Sequence, residues 1–202
     1  MEKSKIINDL INIFKNFPSV GPKTAERFSY FLLDNENLLD SFIEVLTKIK
    51  NNVIKCKYCH NFSSVNPCEI CTDPKRDFKL LCVVEKYQDI YSIENTEYNG
   101  LYYVLGTIIN PLEGKMPSSL DVESLYKRIV NVEENYKPDE VIIALGFTTE
   151  ADITSNFITE YLKSKNLKIK MSRIAKGLPV GAEVEYSDPQ TLSFAFKNRV
   201  II

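Results

Sequence analysis

Four cysteines in the run KCKYCHNFSSVNPCEIC, Cys56, Cys59, Cys68 and Cys71, form two CxxC pairs eight residues apart. No other feature constrains the chain as strongly. A two-residue gap lets one tight turn offer both sulfurs to a single ion, and thiolates are the soft ligands that zinc takes in closed tetrahedral sites. Two disulfides, four idle thiols or an iron–sulfur cluster are the alternatives. Nothing in the chain suggests secretion, and CxxC pairs in a reducing compartment bind metal or carry redox chemistry, which favours zinc. Four thiolates leave no open position for water or substrate, so such an ion is structural. The surrounding segment has few large apolar side chains. Metal binding, of order 10 kcal/mol or more in small zinc peptides, is therefore expected to supply its folding free energy, and without zinc it is expected to be disordered.

At 202 residues and 44% hydrophobic composition, the chain is long enough for one ordinary core plus one or two small modules. The N-terminus MEKSKIINDLINIF mixes charges among its apolar residues, as an amphipathic helix does and a signal peptide does not. No stretch reaches the length of a membrane span, so a soluble, cytoplasmic protein is expected. Cys82, inside LLCVV, reads as a buried inert thiol. The net charge of −2 argues against a strongly basic nucleic-acid binder, but the charge is unevenly spread. Residues 1–79 carry 12 basic and 10 acidic side chains, and residues 80–202 carry 13 and 17. Any affinity for DNA must be local and weak per chain.

Ile6, Ile7, Leu10, Ile11 and Phe14 recur at helical spacing before FPSVGPKT breaks the pattern. A second helix follows through Ala25, Phe28, Phe31 and Leu32, and a third carries a wide apolar stripe from Leu38 to Ile49. From residue 80 the texture changes to β/α alternation. LLCVV, LYYVL, VIIAL and KIKM read as about four strands, with helices over YQDIYSIE, DVESLYKRIVNVEE and Glu150 to Leu162 between them. Strands apolar on both faces and joined by helical crossovers imply a small parallel sheet between helices. The tail FAFKNRVII is apolar enough to dock in its own chain or a neighbour's.

PSVGPKTAER has the chemistry of a helix–hairpin–helix phosphate clamp, in which a tight Gly/Pro turn leaves backbone N–H groups unpaired at a helix start. Pro22 suits the first helical position, and Lys23 and Arg27 project from one face. An ordinary turn with solvated basic residues fits equally well, since Ser19 stands where glycine would be more permissive. Glu85 follows LLCVV, and Glu150 and Asp152 follow VIIALGFTT, just beyond strand carboxyl ends where open sheets place ligands. Three converging carboxylates would suit Mg²⁺. Solvated acids stabilised at helix N-termini explain them as well. His60, the single histidine, reads as a solvent-facing loop residue. KGLPVG lacks the lysine that a nucleotide P-loop requires.

With PSVGPKTAERF, KCKYCHNF…PCEICTDPKRD, LLCVVE and RIAKGLPVGAEVEYSD in this order, the chain resembles the RecR family of bacterial recombination proteins over essentially its whole length. The resemblance implies an α/β fold class with small all-α and zinc modules: a helix–hairpin–helix DNA-binding segment (1–52), a four-cysteine zinc finger (53–78), a Toprim-like parallel α/β domain (79–172) and a C-terminal assembly segment (173–202). Carried onto this sequence, the family's zinc ligands fall on Cys56, Cys59, Cys68 and Cys71, and its DNA-contacting residues on Lys23 and Arg27. Its Toprim acids fall on Glu85, Glu150 and Asp152, as a site for Mg²⁺ or for the RecO partner. GFTTEAD stands where the family reads closer to NPTVEGE, with Asp in place of Glu at 152, and GTIINP replaces a more glycine-rich turn. The resemblance further implies a ring-shaped homotetramer in DNA repair, working with RecO and RecF to load RecA on gapped single-stranded DNA.

Three functions follow from different classes. The first is a non-catalytic DNA-binding mediator whose weak sites gain strength through assembly. The second is an Mg²⁺-dependent nuclease, primase or strand transferase using Glu85, Glu150 and Asp152. The third is a zinc-stabilised scaffold that binds only proteins.

Overall fold

The computed structural model describes residues 4–132 and 137–201. The chain divides into two compact units, Met1–Val53 and Ile54–Ile202. The first holds three helices: α1 (Lys5–Lys15), α2 (Pro22–Leu33) and α3 (Glu36–Asn52). Phe14, Ala25 and Leu32 form its small core, flanked by Leu10, Ile11, Val20 and Leu39. The line that α2 buries is Ala25, Ser29 and Leu32, at spacings of four and three. Phe28 and Phe31, expected on the inner face, point outward, because they lie about a third of a turn away from that line. The apolar stripe of α3 forms as a helix but buries no residue; Leu38, Ile43, Leu46 and Ile49 all remain exposed.

The second unit opens with a two-stranded antiparallel ribbon, β1 (Ile54–Lys55) and β2 (Phe62–Ser63), and the short helix α4 (Glu69–Thr72). These carry the cysteines. The chain then enters β3 (Asp77–Val84), followed by α5 (Tyr87–Glu94), β4 (Gly100–Val104), α6 (Val122–Val130), β5 (Glu140–Ala144), α7 (Thr149–Ser164) and β6 (Lys170–Arg173). The four strands make one wholly parallel sheet in the order β4-β3-β5-β6. This is the small parallel sheet that the alternation of strands and helices implied. The helix read over DVESLYKRIVNVEE ends at Val130, and its Glu133 and Glu134 lie outside the described residues.

Alternation along β3 sends its side chains to two cores. Leu81 and Val83 join Leu101, Tyr103, Val141 and Ile143 under α6 and α7, through Leu125, Ile129, Ile158 and Leu162. Cys82 and Val84 join Tyr102, Val104 and Ile90 of α5 on the opposite face. Burial pushes the Cys82 thiol up to about 12, so it stays protonated and inert. Gly100 is required by close approach: a Cβ there would collide with the Tyr98 hydroxyl and lie 2.8 Å from Leu80 Cβ.

Arg76, where the chain leaves the cysteine segment, knits it to the sheet. Its guanidinium donates to both Glu94 oxygens, at 2.9 and 2.5 Å, and to the Gly100 carbonyl at 3.0 Å. The buried Tyr102 hydroxyl donates to the same carboxylate at 2.6 Å. These donors hold Glu94 below its ordinary range, the Arg76 hydrogen bond contributing most. After β6 the C-terminal segment runs through α8 (Pro189–Lys197). The Asn198 amide donates to the Lys176 carbonyl at 2.8 Å, and the Lys176 ammonium lies 4.6 Å from the Phe194 ring. This docks the helix on its own chain, while Val180, Tyr186, Phe196, Val200 and Ile201 remain exposed. Among the described residues no helix is long and apolar enough to cross a membrane.

Candidate metal centre and nucleic-acid interface

Two backbone knuckles bring the four cysteines together. In the first, the Cys56 amide donates to the Asn61 carbonyl at 2.8 Å and the His60 amide returns to the Cys56 carbonyl at 3.0 Å, closing the turn around Lys57 and Tyr58. His60 takes φ 63°, which completes the reversal. In the second, the first turn of α4 places Cys71 over Cys68, with the Cys71 amide donating to the Cys68 carbonyl at 3.0 Å. The four sulfurs lie within 4.8 Å of one another, Cys56 with Cys71 at 3.9 Å and Cys59 with Cys68 at 3.4 Å, and all four cysteines are free.

Amides of Tyr58 and Cys68 both donate to the Cys56 sulfur, at 3.5 and 3.4 Å, as they would to a thiolate. Four converging soft ligands with backbone donors fit one zinc ion and leave it no open position. Among the described residues this is the only group of three or more His, Cys, Asp or Glu side chains placed to hold a metal. Cys56, Cys59 and Cys68 are buried against Ile70 and little else, so the set has no sizeable apolar core of its own. His60 corrects the expectation of a solvent-facing loop residue: it is half-buried, its ring 4.7 Å from that of Tyr103. Its position follows from the turn geometry, which the residue type alone does not reveal.

In the first unit, Gly21 caps α2 in extended backbone with Pro22 at the first position and no side-chain cap. Helix geometry leaves the amides of Lys23 and Thr24 without intrahelical acceptors, and the dipole at this end favours an anion. Ser19 adopts φ 63°, the left-handed conformation for which glycine is better suited, and so makes the tight hairpin despite its side chain. Lys23 and Arg27 are both exposed, one turn apart on α2.

The three acids do not assemble. Glu85, past the end of β3, is half-buried and contacts the Lys86 ammonium at 3.2 Å. Glu150 sits in the first turn of α7. Asp152 is engaged by two cations, Arg173 at the end of β6 at 2.6 Å and Lys176 just beyond it at 3.2 Å. The Arg173 hydrogen bond, with Lys176 adding to it, holds Asp152 below the usual carboxylate range. The expectation of three carboxylates converging on Mg²⁺ is therefore replaced by one carboxylate neutralised by two cations. Sequence reasoning missed the part played by Arg173 and Lys176, which stand more than twenty residues from Asp152 and open the run RIAKGLPVG without any sign there of a carboxylate partner.

Models of known families match in the same order along the chain: the RecR helix–hairpin–helix over residues 7–44, the RecR four-cysteine zinc finger domain over 53–73, the Toprim domain over 79–175 and the RecR C-terminal segment over 177–200. Proteins described as recombination protein RecR are similar over nearly the full length. The one from Amoebophilus asiaticus is 41% identical over 98% of this chain and 97% of its own. Those from Bifidobacterium adolescentis and Finegoldia magna are 40% and 39% identical, each over 96% of this chain and over 94% and 96% of their own. With the fold, the cysteine set and the hairpin in register with these matches, this chain belongs to the RecR family.

Proposed function

We propose that this protein is a non-catalytic mediator of recombinational DNA repair in the cytoplasm. The observation that carries the reading is the hairpin before α2, which presents two unpaired amides, the positive end of a helix and the exposed cations Lys23 and Arg27 on one small surface. Such a clamp reads phosphate and carries no base specificity. In this reading residues 1–52 bind DNA, the finger at 53–78 is held by zinc on Cys56, Cys59, Cys68 and Cys71, residues 79–172 form the Toprim domain, and residues 173–202 serve assembly. The exposed apolar side chains of α3 and of the C-terminal segment support a ring-like oligomer, taken here as a tetramer, in which several weak clamps act at high effective concentration.

Glu85, Glu150 and Asp152 serve in this reading as a contact for RecO, and the protein works with RecO and RecF to promote RecA loading on gapped single-stranded DNA. The nuclease or primase alternative is disfavoured because Asp152 is already neutralised by Arg173 and Lys176. A salt titration of DNA binding tests the proposal. Lys23→Ala with Arg27→Ala should weaken binding and reduce the slope of log K against log salt by about 2 per clamp engaged, because each phosphate contact contributes about one unit. Unchanged affinity and slope would remove the clamp from the mechanism.

A further inference from the structure

Between the first cysteine knuckle and α6 lie two adjoining cavities of about 490 and 260 Å³ that share Tyr58, Arg128, Asn131 and Val132. Arg128, on α6, is only 8% exposed, yet its Nε and Nη1 atoms are buried without a hydrogen-bond partner among the described residues. Its guanidinium lies over the Tyr58 ring, 5.5 Å from the centroid, which fixes the plane but satisfies none of its N–H groups. The Tyr103 hydroxyl, in the wall of the smaller cavity, is also buried without a well-formed hydrogen bond, with Ser124 as its polar neighbour. Lys57 and Lys127 line the same wall. Among the described residues no aspartate or glutamate lines either cavity.

A buried charge is ordinarily paired, because removal from water without a partner is costly. Here a buried guanidinium and a buried phenol with unsatisfied polar atoms face two ammonium groups, one of them only loosely held by Glu123 at 3.8 Å, with no carboxylate among the described residues lining the cavities, so the ligand that satisfies them is an acceptor with several oxygens. A planar guanidinium fork matches a tetrahedral oxyanion bidentately. We propose that this cleft binds a phosphate group, gripped by Arg128 and Tyr103, with Lys57 and Lys127 at its mouth. The larger cavity, walled by Tyr58, Phe78 and Leu101, has room for the sugar or base that such a phosphate would carry. The site is separate in sequence and in unit from the hairpin at Lys23 and Arg27, and it does not rest on the function proposed above.

The test uses the full zinc-loaded chain carrying Lys23→Ala and Arg27→Ala, so that failure of the hairpin and failure of this cleft are distinguishable. Inorganic phosphate, thymidine monophosphate and a short 5′-phosphorylated oligothymidylate are added at matched ionic strength, with chloride as control. Melting is followed by calorimetry. At least one probe should raise Tm by about 2–4 °C, and Arg128→Met should abolish the rise. In phosphate-free buffer Arg128→Met should melt no lower than its parent, since it removes a buried unpaired charge, and its zinc content should be unchanged. A response to phosphate or the mononucleotide assigns the cleft to a small ligand; a response to the oligonucleotide alone assigns it to DNA. No response to any probe, or one that survives Arg128→Met, overturns the proposal. Loss of zinc in Arg128→Met also overturns it, because the guanidinium would then serve the nearby thiolates.

Discussion

The Val104 amide, at the carboxyl end of β4, donates to the Cys59 carbonyl at 2.8 Å. One residue of the cysteine set is thereby tied through its backbone to the edge strand of the parallel sheet. The knuckle and the sheet share a hydrogen bond that neither would make alone, so disorder in one removes an anchor from the other.

Zinc removal is therefore expected to unfold the finger and to loosen the β4 edge with it. Chelation, or Cys59→Ser, should release the Val104 amide to fast hydrogen exchange while Val141 and Ile143 at the sheet centre stay protected. Unaltered protection at Val104 in the metal-free chain would show that the knuckle folds without its ion.

Glu94 should make stability pH-dependent in a defined direction. Its carboxyl is held low in the folded state by Arg76, so it contributes stability above the ordinary glutamate value of about 4.3 and that contribution is lost as pH falls through the lower folded value. Glu94→Gln should flatten the acid limb of the Tm–pH curve. Glu94→Ala should cost about 2–4 kcal/mol at neutral pH, because it leaves the largely buried Arg76 unpaired. Equal acid sensitivity in Glu94→Gln would assign the effect to other groups.

Asp152 is expected to bind Mg²⁺ poorly as long as Arg173 and Lys176 hold it. Arg173→Ala with Lys176→Ala should raise the Mg²⁺ affinity measured by calorimetric titration. Labelled DNA should stay intact with the unmodified protein in Mg²⁺; cleavage abolished by Glu85→Gln would restore the enzymatic alternative.

Assembly is checked by light scattering in zinc-replete buffer, where the expected mass is a multiple of the 23.2 kDa chain. Ile43→Glu with Leu46→Glu on α3, or Phe196→Glu in the tail, places charge on exposed apolar surface and should lower that mass without unfolding the monomer. A monomeric parent would remove the multivalency argument.

Much of this architecture is legible in the sequence, for identifiable reasons. The two apolar runs LLCVV and LYYVL announce β3 and β4 because both faces of those strands are buried. The cysteine set is legible because its geometry is local, each pair spanning a single turn. What escapes is set by long-range approach. Arg173 reaches Asp152, Arg128 is buried against Tyr58, and His60 packs on Tyr103, and no periodicity records such meetings. The stripe on α3 misleads in the opposite sense, since its apolar spacing gives the helix but does not say what covers it.

The strand order β4-β3-β5-β6 has a kinetic consequence during synthesis. β3 emerges early and finds β4 close by in sequence, but its other edge waits for residues 140–144. Until then the apolar run Leu80–Val84 presents an open edge, prone to pairing with another nascent chain. The cysteine module, completed just before β3 and bonded to β4 through Val104, is in place to order that half-built sheet from its first pair of strands while the ribosome still holds the rest.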